Sequence, residues 1–206
     1  MPNGLRLYGI TASDHQGQHQ AADGVELLPV RDLAAVVSPA EYAAVPPTGE
    51  VIEQHRRVVD SLFVHAPVLP APVGTVFRSR ETLTRWLELH YVALSEALSF
   101  VEDRTEARVH VRRVGGRADE GESGADLAAA AAEAFRSLRR QAVASVSLKS
   151  EHLTGIVLST AFLLDKELWN DFVVAVDEQR ARNSRLAFDL SGPWPPFDFV
   201  RMQFGG

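Results

Sequence analysis

The chain has 206 residues, of which 46% are hydrophobic and 23% charged. That is ordinary globular composition, long enough to bury a core without disulfides or metals. With 21 Lys+Arg against 27 Asp+Glu the net charge is −6, which argues against a nucleic-acid binder held by charge. No cysteine is present, so disulfides, thiolate nucleophiles and Cys-based zinc sites are excluded. The longest apolar run, residues 155–164, is too short to span a bilayer. The first ten residues lack a basic segment followed by a long apolar core, so no signal peptide is read there. A soluble, intracellular protein with no membrane span is expected.

Three polar stretches punctuate the chain: residues 11–24, 46–49 and 115–124. Between them, residues 5–10 read as a strand, and residues 25–30 and 33–38 as two more. Only Arg31-Asp32 separates this last pair, which is hairpin spacing despite an unfavoured turn dipeptide. Residues 50–65 place Val51, Ile52, Val58, Val59, Leu62 and Phe63 three to four apart, which is helical. Residues 68–69 and 73–77 are extended pieces broken by Pro70, Pro72 and Gly74. Ser79 is the N-cap of one helix running to about Phe100.

In the second half, residues 107–114 alternate, with Arg108, His110 and Arg112 on one face. Asp126 caps a helix to about Arg140, and residues 142–149 form a strand. A turn at 150–153 leads to a buried strand at 154–164. Asp165 caps a helix with Leu168, Trp169, Phe172, Val173 and Val176 inward, and residues 185–190 form the last strand. This β-α-β-β-α-β order is the ferredoxin-like split βαβ pattern. The fold class is therefore α+β with two small domains, residues 1–102 and 103–206. The C-terminal one is expected to be a modified ferredoxin-like fold ending in the Trp-Pro-Pro segment.

Little in the chain reads as catalytic. His15 and His19 are four apart, but in a Gln/Gly-rich loop rather than on a helix, so metal binding is not expected. His55 reads as an inward-facing histidine making one hydrogen bond. Ser13-Asp14-His15 holds the residue types of a triad, but adjacent loop residues cannot take its roles. Phosphate-cradling and dinucleotide-binding glycine motifs are absent. The basic face of Arg108, His110 and Arg112 reads as salt-bridged or as a docking surface. The Pro193-Trp194-Pro195-Pro196-Phe197 segment is either a polyproline ligand or a rigid turn. The second reading is preferred here, with Trp194 largely buried on the protein's own core.

Five fragments, in order along the chain, resemble the gas vesicle protein GvpF/GvpL family. They are Leu7-Tyr8-Gly9-Ile10; Leu33 to Ser38; His55 with Val58-Val59; Val68-Leu69-Pro70 with Gly74-Thr75-Val76-Phe77; and Asp189 through Trp194-Pro195-Pro196-Phe197 to Val200. The resemblance implies a non-enzymatic accessory protein of gas vesicle formation, without cofactor, metal or catalytic residues. It implies a cytoplasmic protein associated with gas vesicles, whose partners are the hydrophobic shell protein GvpA and other accessory proteins. The family-signature residues Tyr8, Gly9, Leu69, Pro70, Gly74, Thr75, Phe77, Trp194, Pro195 and Pro196 are then candidates for partner binding, with a cleft between the domains beside residues 69–77 as the expected place. A small-molecule-binding or hydrolytic enzyme of the ferredoxin-like class is the alternative. It would require a polar cluster converging from several segments, and the sequence offers none.

Overall fold

The computed structural model describes residues 3–13, 24–114, 124–149 and 155–200. The chain divides into two compact units, one comprising Met1–Asp103 with Pro195–Gly206 and the other Arg104–Trp194. The segment from Pro195 onward thus groups with the first half, whereas the sequence placed it with the second. Pro195 and Pro196 are buried, and Phe197 and Val200 join the hydrophobic clusters of the first unit. Two antiparallel sheets and their helices make the architecture a mixed α+β one.

The first unit is built on β1 (Gly4–Ala12). This strand pairs with β3 (Leu33–Ala40) on one side and with β4 (Val68–Pro70) and β5 (Val76–Phe77) on the other. β2 (Glu26–Val30) forms the expected hairpin with β3, with Val30 opposite Leu33. The register shifts between Leu7 and Gly9. Side chains alternate faces along a strand, so a one-residue shift reverses the alternation. Leu5, Leu7 and then Ile10 therefore face one core, and Tyr8 faces the other.

The Leu7 face is covered by α2 (Arg80–Leu89) and α3 (Tyr91–Val101), which contribute Leu83, Leu87, Leu94, Leu98 and Val101. The Tyr8 face is covered by α1 (Gly49–Phe63) through Val58, Val59 and Leu62. With a helical layer on each face, β1 is buried almost throughout. It also runs into the stretch read as a polar break. Thr11 is fully buried because its hydroxyl donates to the Pro67 carbonyl at 2.8 Å.

Ser79 caps α2 as expected, in a reciprocal box with Thr82. The Ser79 hydroxyl accepts from the Thr82 amide at 3.2 Å, and the Ser79 amide donates to the Thr82 hydroxyl at 3.0 Å. The single helix expected from 80 to 100 is two. His90, at φ −103° and ψ 9°, leaves the helical region, and its Nδ1 meets the Trp86 carbonyl oxygen at 2.8 Å.

The second unit runs β6 (Arg104–Arg113), α4 (Gly124–Arg139), β7 (Ala144–Ser147), β8 (Ile156–Asp165), α5 (Trp169–Arg182) and β9 (Leu186–Trp194). Its sheet order is β7-β8-β6-β9, with every neighbouring pair antiparallel. Ala107, Val109, Val111, Phe162, Leu164 and Phe188 meet Leu127, Ala131 and Leu138 of α4 and Phe172 and Val176 of α5. The Phe162 and Phe172 rings lie 5.3 Å apart.

Several details differ from the sequence expectation. Asp126 sits in the first turn of α4, not before it. Asp165 makes no cap hydrogen bond, because its carboxylate accepts from Arg104 Nε at 3.1 Å. A 3-10 turn, Lys166–Leu168, precedes α5 and leaves Leu168 exposed rather than inward. β9 continues past Leu190 to Trp194, which pairs opposite Glu106 after a register shift. The expected turn at 150–153 lies outside the described residues, as does the expected loop at 115–124 except Gly124, which opens α4.

Candidate functional site

Most of the family-signature residues gather around β1 in the first unit. Gly9 lies opposite Pro70. A Cβ on Gly9 would stand 2.8 Å from the Leu69 carbonyl oxygen, so only glycine lets β4 approach this closely. Pro70 sits on an edge strand, where its missing N–H leaves no ladder bond unmade. Leu69 is fully buried among Leu7, Ile10 and the α2–α3 side chains. The turn that follows is tied to β1: Thr75 donates its hydroxyl to the Pro72 carbonyl at 2.7 Å, and its own carbonyl accepts from the Leu7 amide at 2.9 Å. Gly74 holds φ +84°, and a Cβ there would come within 2.7 Å of the Val45 carbonyl oxygen. Phe77 pairs opposite Leu5, with its ring 5.8 Å from Trp86.

Tyr8 is fully buried, and its hydroxyl shares a 3.0 Å hydrogen bond with Ser38. Phe197 packs on the same cluster, and Pro195 and Pro196 are buried. Trp194 lies in β9 of the second unit and is half-buried, not largely buried as expected. Its strand pairing holds the backbone, while its indole N–H reaches the Ser191 hydroxyl at 3.2 Å. The structure thus brings Tyr8, Gly9, Leu69, Pro70, Gly74, Thr75 and Phe77 together around one strand. Pro195 and Pro196 fall in the same unit, and Trp194 does not.

His55 is 2% exposed, and its ring centroid lies 5.5 Å from that of Tyr8. No hydrogen bond of ordinary geometry reaches either ring nitrogen, although the Ala71 backbone lies close enough to act on the imidazole as a weak version of the one bond expected from sequence. Burial, with a smaller contribution from the Arg6 cation, pushes its pKa down to about 4, although the Ala71 backbone works in the opposite direction. The imidazole is therefore neutral at pH 7.

Each member of the basic face on β6 has a partner. Arg108 Nε meets the fully buried Glu106 carboxylate at 2.7 Å, and His110 Nδ1 lies 2.7 Å from the Ser159 hydroxyl. Arg112 Nε is 2.6 Å from Asp189, and the pairing holds the Asp189 carboxyl below its ordinary range. This is the salt-bridged reading of that face. Among the described residues no group of three or more His, Asp or Glu is placed to hold a metal. His15, His19 and Asp14 lie outside the described residues.

What the sequence reading missed is a set of exposed apolar side chains on α2–α3. Leu89 is 79% exposed, Val92 66% and Phe100 43%. At 3.6 residues per turn, Val92, Ala93, Glu96 and Phe100 share the side of α3 opposite the buried Leu94, Leu98 and Val101. The signal was present: α3 is apolar on nearly every side, which exceeds what one buried stripe requires. No helix among the described residues is long and apolar enough to cross a membrane.

The chain is similar to known proteins along almost its whole length. It is 26% identical to gas vesicle protein F2 of Halobacterium salinarum, over 98% of this chain and 94% of that protein. It is 25% identical to gas vesicle protein F of Haloferax mediterranei, over 100% of this chain and 97% of that one. Its fold matches the crystal structure of GvpF from Anabaena sp. PCC7120 with a TM-score of 0.82, at 17% identity over 98% of both chains. It matches GvpF from Microcystis aeruginosa with a TM-score of 0.77, at 14% identity over 97% of this chain and 100% of that one. The family model described as gas vesicle synthesis protein GvpL/GvpF matches residues 4–121 and 112–201. That match spans nearly all of the chain, and the chain belongs to the GvpL/GvpF family of gas vesicle synthesis proteins.

Proposed function

We propose that this protein is an accessory factor of gas vesicle formation, acting in the cytoplasm at growing vesicles. It binds the hydrophobic shell protein GvpA, and acts beside other accessory proteins, without catalysing a reaction. Family membership supports the vesicle role. The observation that carries the binding is the exposed apolar set Leu89, Val92 and Phe100. A shell subunit exposes apolar surface before it joins the wall, and such surface aggregates in water. A helix with apolar side chains on its outer side can cover that surface and release it. Leu69 and Pro70 are packed inside the first unit, so the outward side of α2–α3 is a better place for the contact than residues 69–77. The second unit supports a ferredoxin-like reading through its element order and its β7-β8-β6-β9 sheet.

The test is co-expression with GvpA followed by affinity capture. The wild-type chain is expected to retain GvpA in the soluble fraction, and Leu89→Glu with Val92→Glu to lose it while keeping the circular dichroism spectrum. GvpA that remains aggregated beside the wild-type chain, with no capture, rejects the binding role. Capture that survives both substitutions moves the contact away from α2–α3.

A further inference from the structure

The last turn of α4 carries a feature that an apolar contact does not use. A surface depression of about 390 Å³ is lined by Phe135, Arg136, Arg139 and Arg140. Its floor is apolar, since Phe135 is half-buried and its ring lies 6.1 Å from Phe162 of the core. Its rim is cationic. Arg139 Nε donates to the Ser145 hydroxyl at 3.2 Å, a neutral partner that anchors the side chain against β7. Arg136 pairs with Glu133 at 2.6 Å, but the two side chains are 60% and 67% exposed. An exposed pair of this kind contributes little and exchanges readily for another carboxylate. Arg140 is exposed, and its charge acts on the Glu133 carboxylate from beyond ion-pair distance. In a chain of net charge −6, three guanidinium groups around one apolar hollow are a local reversal of sign.

We propose that this groove docks an acidic segment of a partner protein, with carboxylates on the arginine rim and an apolar side chain on Phe135. Guanidinium groups match carboxylates in paired, planar hydrogen bonds. The site suits a short peptide better than a nucleic acid for two reasons. The arginines occupy little more than one helical turn and do not track a phosphate backbone. The Phe135 ring is packed with Phe162 rather than standing free for base stacking.

The experiment is fluorescence anisotropy of the full-length chain with a labelled 15-residue peptide of Glu and Leu, beside a 15-nucleotide oligothymidylate of the same label. The peptide is expected to bind, more weakly as salt rises. Arg139→Gln with Arg140→Gln should weaken it by about tenfold or more. Arg56→Gln, in the first unit and also on an exposed ion pair, should leave it unchanged. Thermal unfolding of each variant checks that α4 stays folded. Peptide affinity equal in the wild type and the double variant overturns the proposal, as does tighter binding of the oligothymidylate or no peptide binding at about 1 mM.

Discussion

His55 makes stability depend on pH in a way that the surrounding carboxylates do not. Its imidazole is buried, with only the Ala71 backbone opposing the effect of desolvation, and its pKa is about 4 against an ordinary 6.5. The folded chain therefore refuses a proton that the unfolded chain accepts between those two values. The folded pKa is depressed, so the stability is fully present above pH 6.5 and is lost as pH falls toward 4. At 1.36 kcal/mol for each tenfold step, the gap corresponds to about 3 kcal/mol. With a urea m-value of about 2 kcal/mol per molar, the midpoint should move down by roughly 1.5 M.

Other groups titrate nearby in pH, so the measurement is a difference. The carboxyls of Glu53, Glu133 and Asp189 are held below their ordinary range by arginines, and these also cost stability as pH drops further. Burial raises Asp60, which acts with the opposite sign. His55→Leu removes only the imidazole. Replacing a buried polar ring that makes no well-formed hydrogen bond by an apolar group of similar size is near neutral at pH 7.5, or stabilising. Urea unfolding of both chains, followed by circular dichroism from pH 7.5 to 4.5, gives the result. The wild type should lose stability relative to His55→Leu over most of this range. Two parallel curves would refute the account of His55 as a neutral, desolvated histidine.

Four further substitutions test the packing around β1 and β9. Tyr8→Phe removes the bond to Ser38 and should cost about 1 kcal/mol in chemical unfolding. Gly74→Ala forces a side chain into φ +84° and against the Val45 carbonyl, and should lower stability by about 1–3 kcal/mol, visible as a lower thermal midpoint. Leu69→Ala empties a fully buried position and should cost about 2–5 kcal/mol by urea titration. Trp194→Ala should cost less than the roughly 3 kcal/mol of a fully buried aromatic, because Trp194 is only half-buried; scanning calorimetry will read it.

Local chemistry made much of the fold legible. Apolar spacing found α1, the Ser79 cap found α2, and alternation found β6, because each depends on neighbours three or four residues away at most. The differences arise from partners distant in sequence. Arg31-Asp32 closes a tight hairpin although Arg31 must hold φ +56°. Tyr91 helps to hold it, since its hydroxyl donates to Asp32 at 2.8 Å and the Arg31 guanidinium lies 4.7 Å from its ring. Nothing within the hairpin announces that support. Thr11 reads as polar loop until Pro67 supplies its acceptor, and Asp165 reads as a cap until Arg104 takes its carboxylate. The break at His90 is hidden because the apolar spacing runs through it unchanged.

The residues that revealed the family and those that would meet a partner answer to different physics. Gly9, Pro70, Gly74 and Tyr8 can be recognised in a sequence because each solves a problem of backbone approach or internal polarity that few residue types can solve. Such positions face inward, and changing them alters stability first. Leu89, Val92, Arg139 and Arg140 solve no internal problem of that kind: their side chains stand largely in water, where many residue types would be tolerated by the fold. Their types become meaningful only against another molecule. Substitutions at the first group should therefore move unfolding midpoints, whereas substitutions at the second should move binding while leaving the midpoints nearly still. That separation lets a loss of vesicle formation in a variant be assigned to a misfolded chain or to a missing contact.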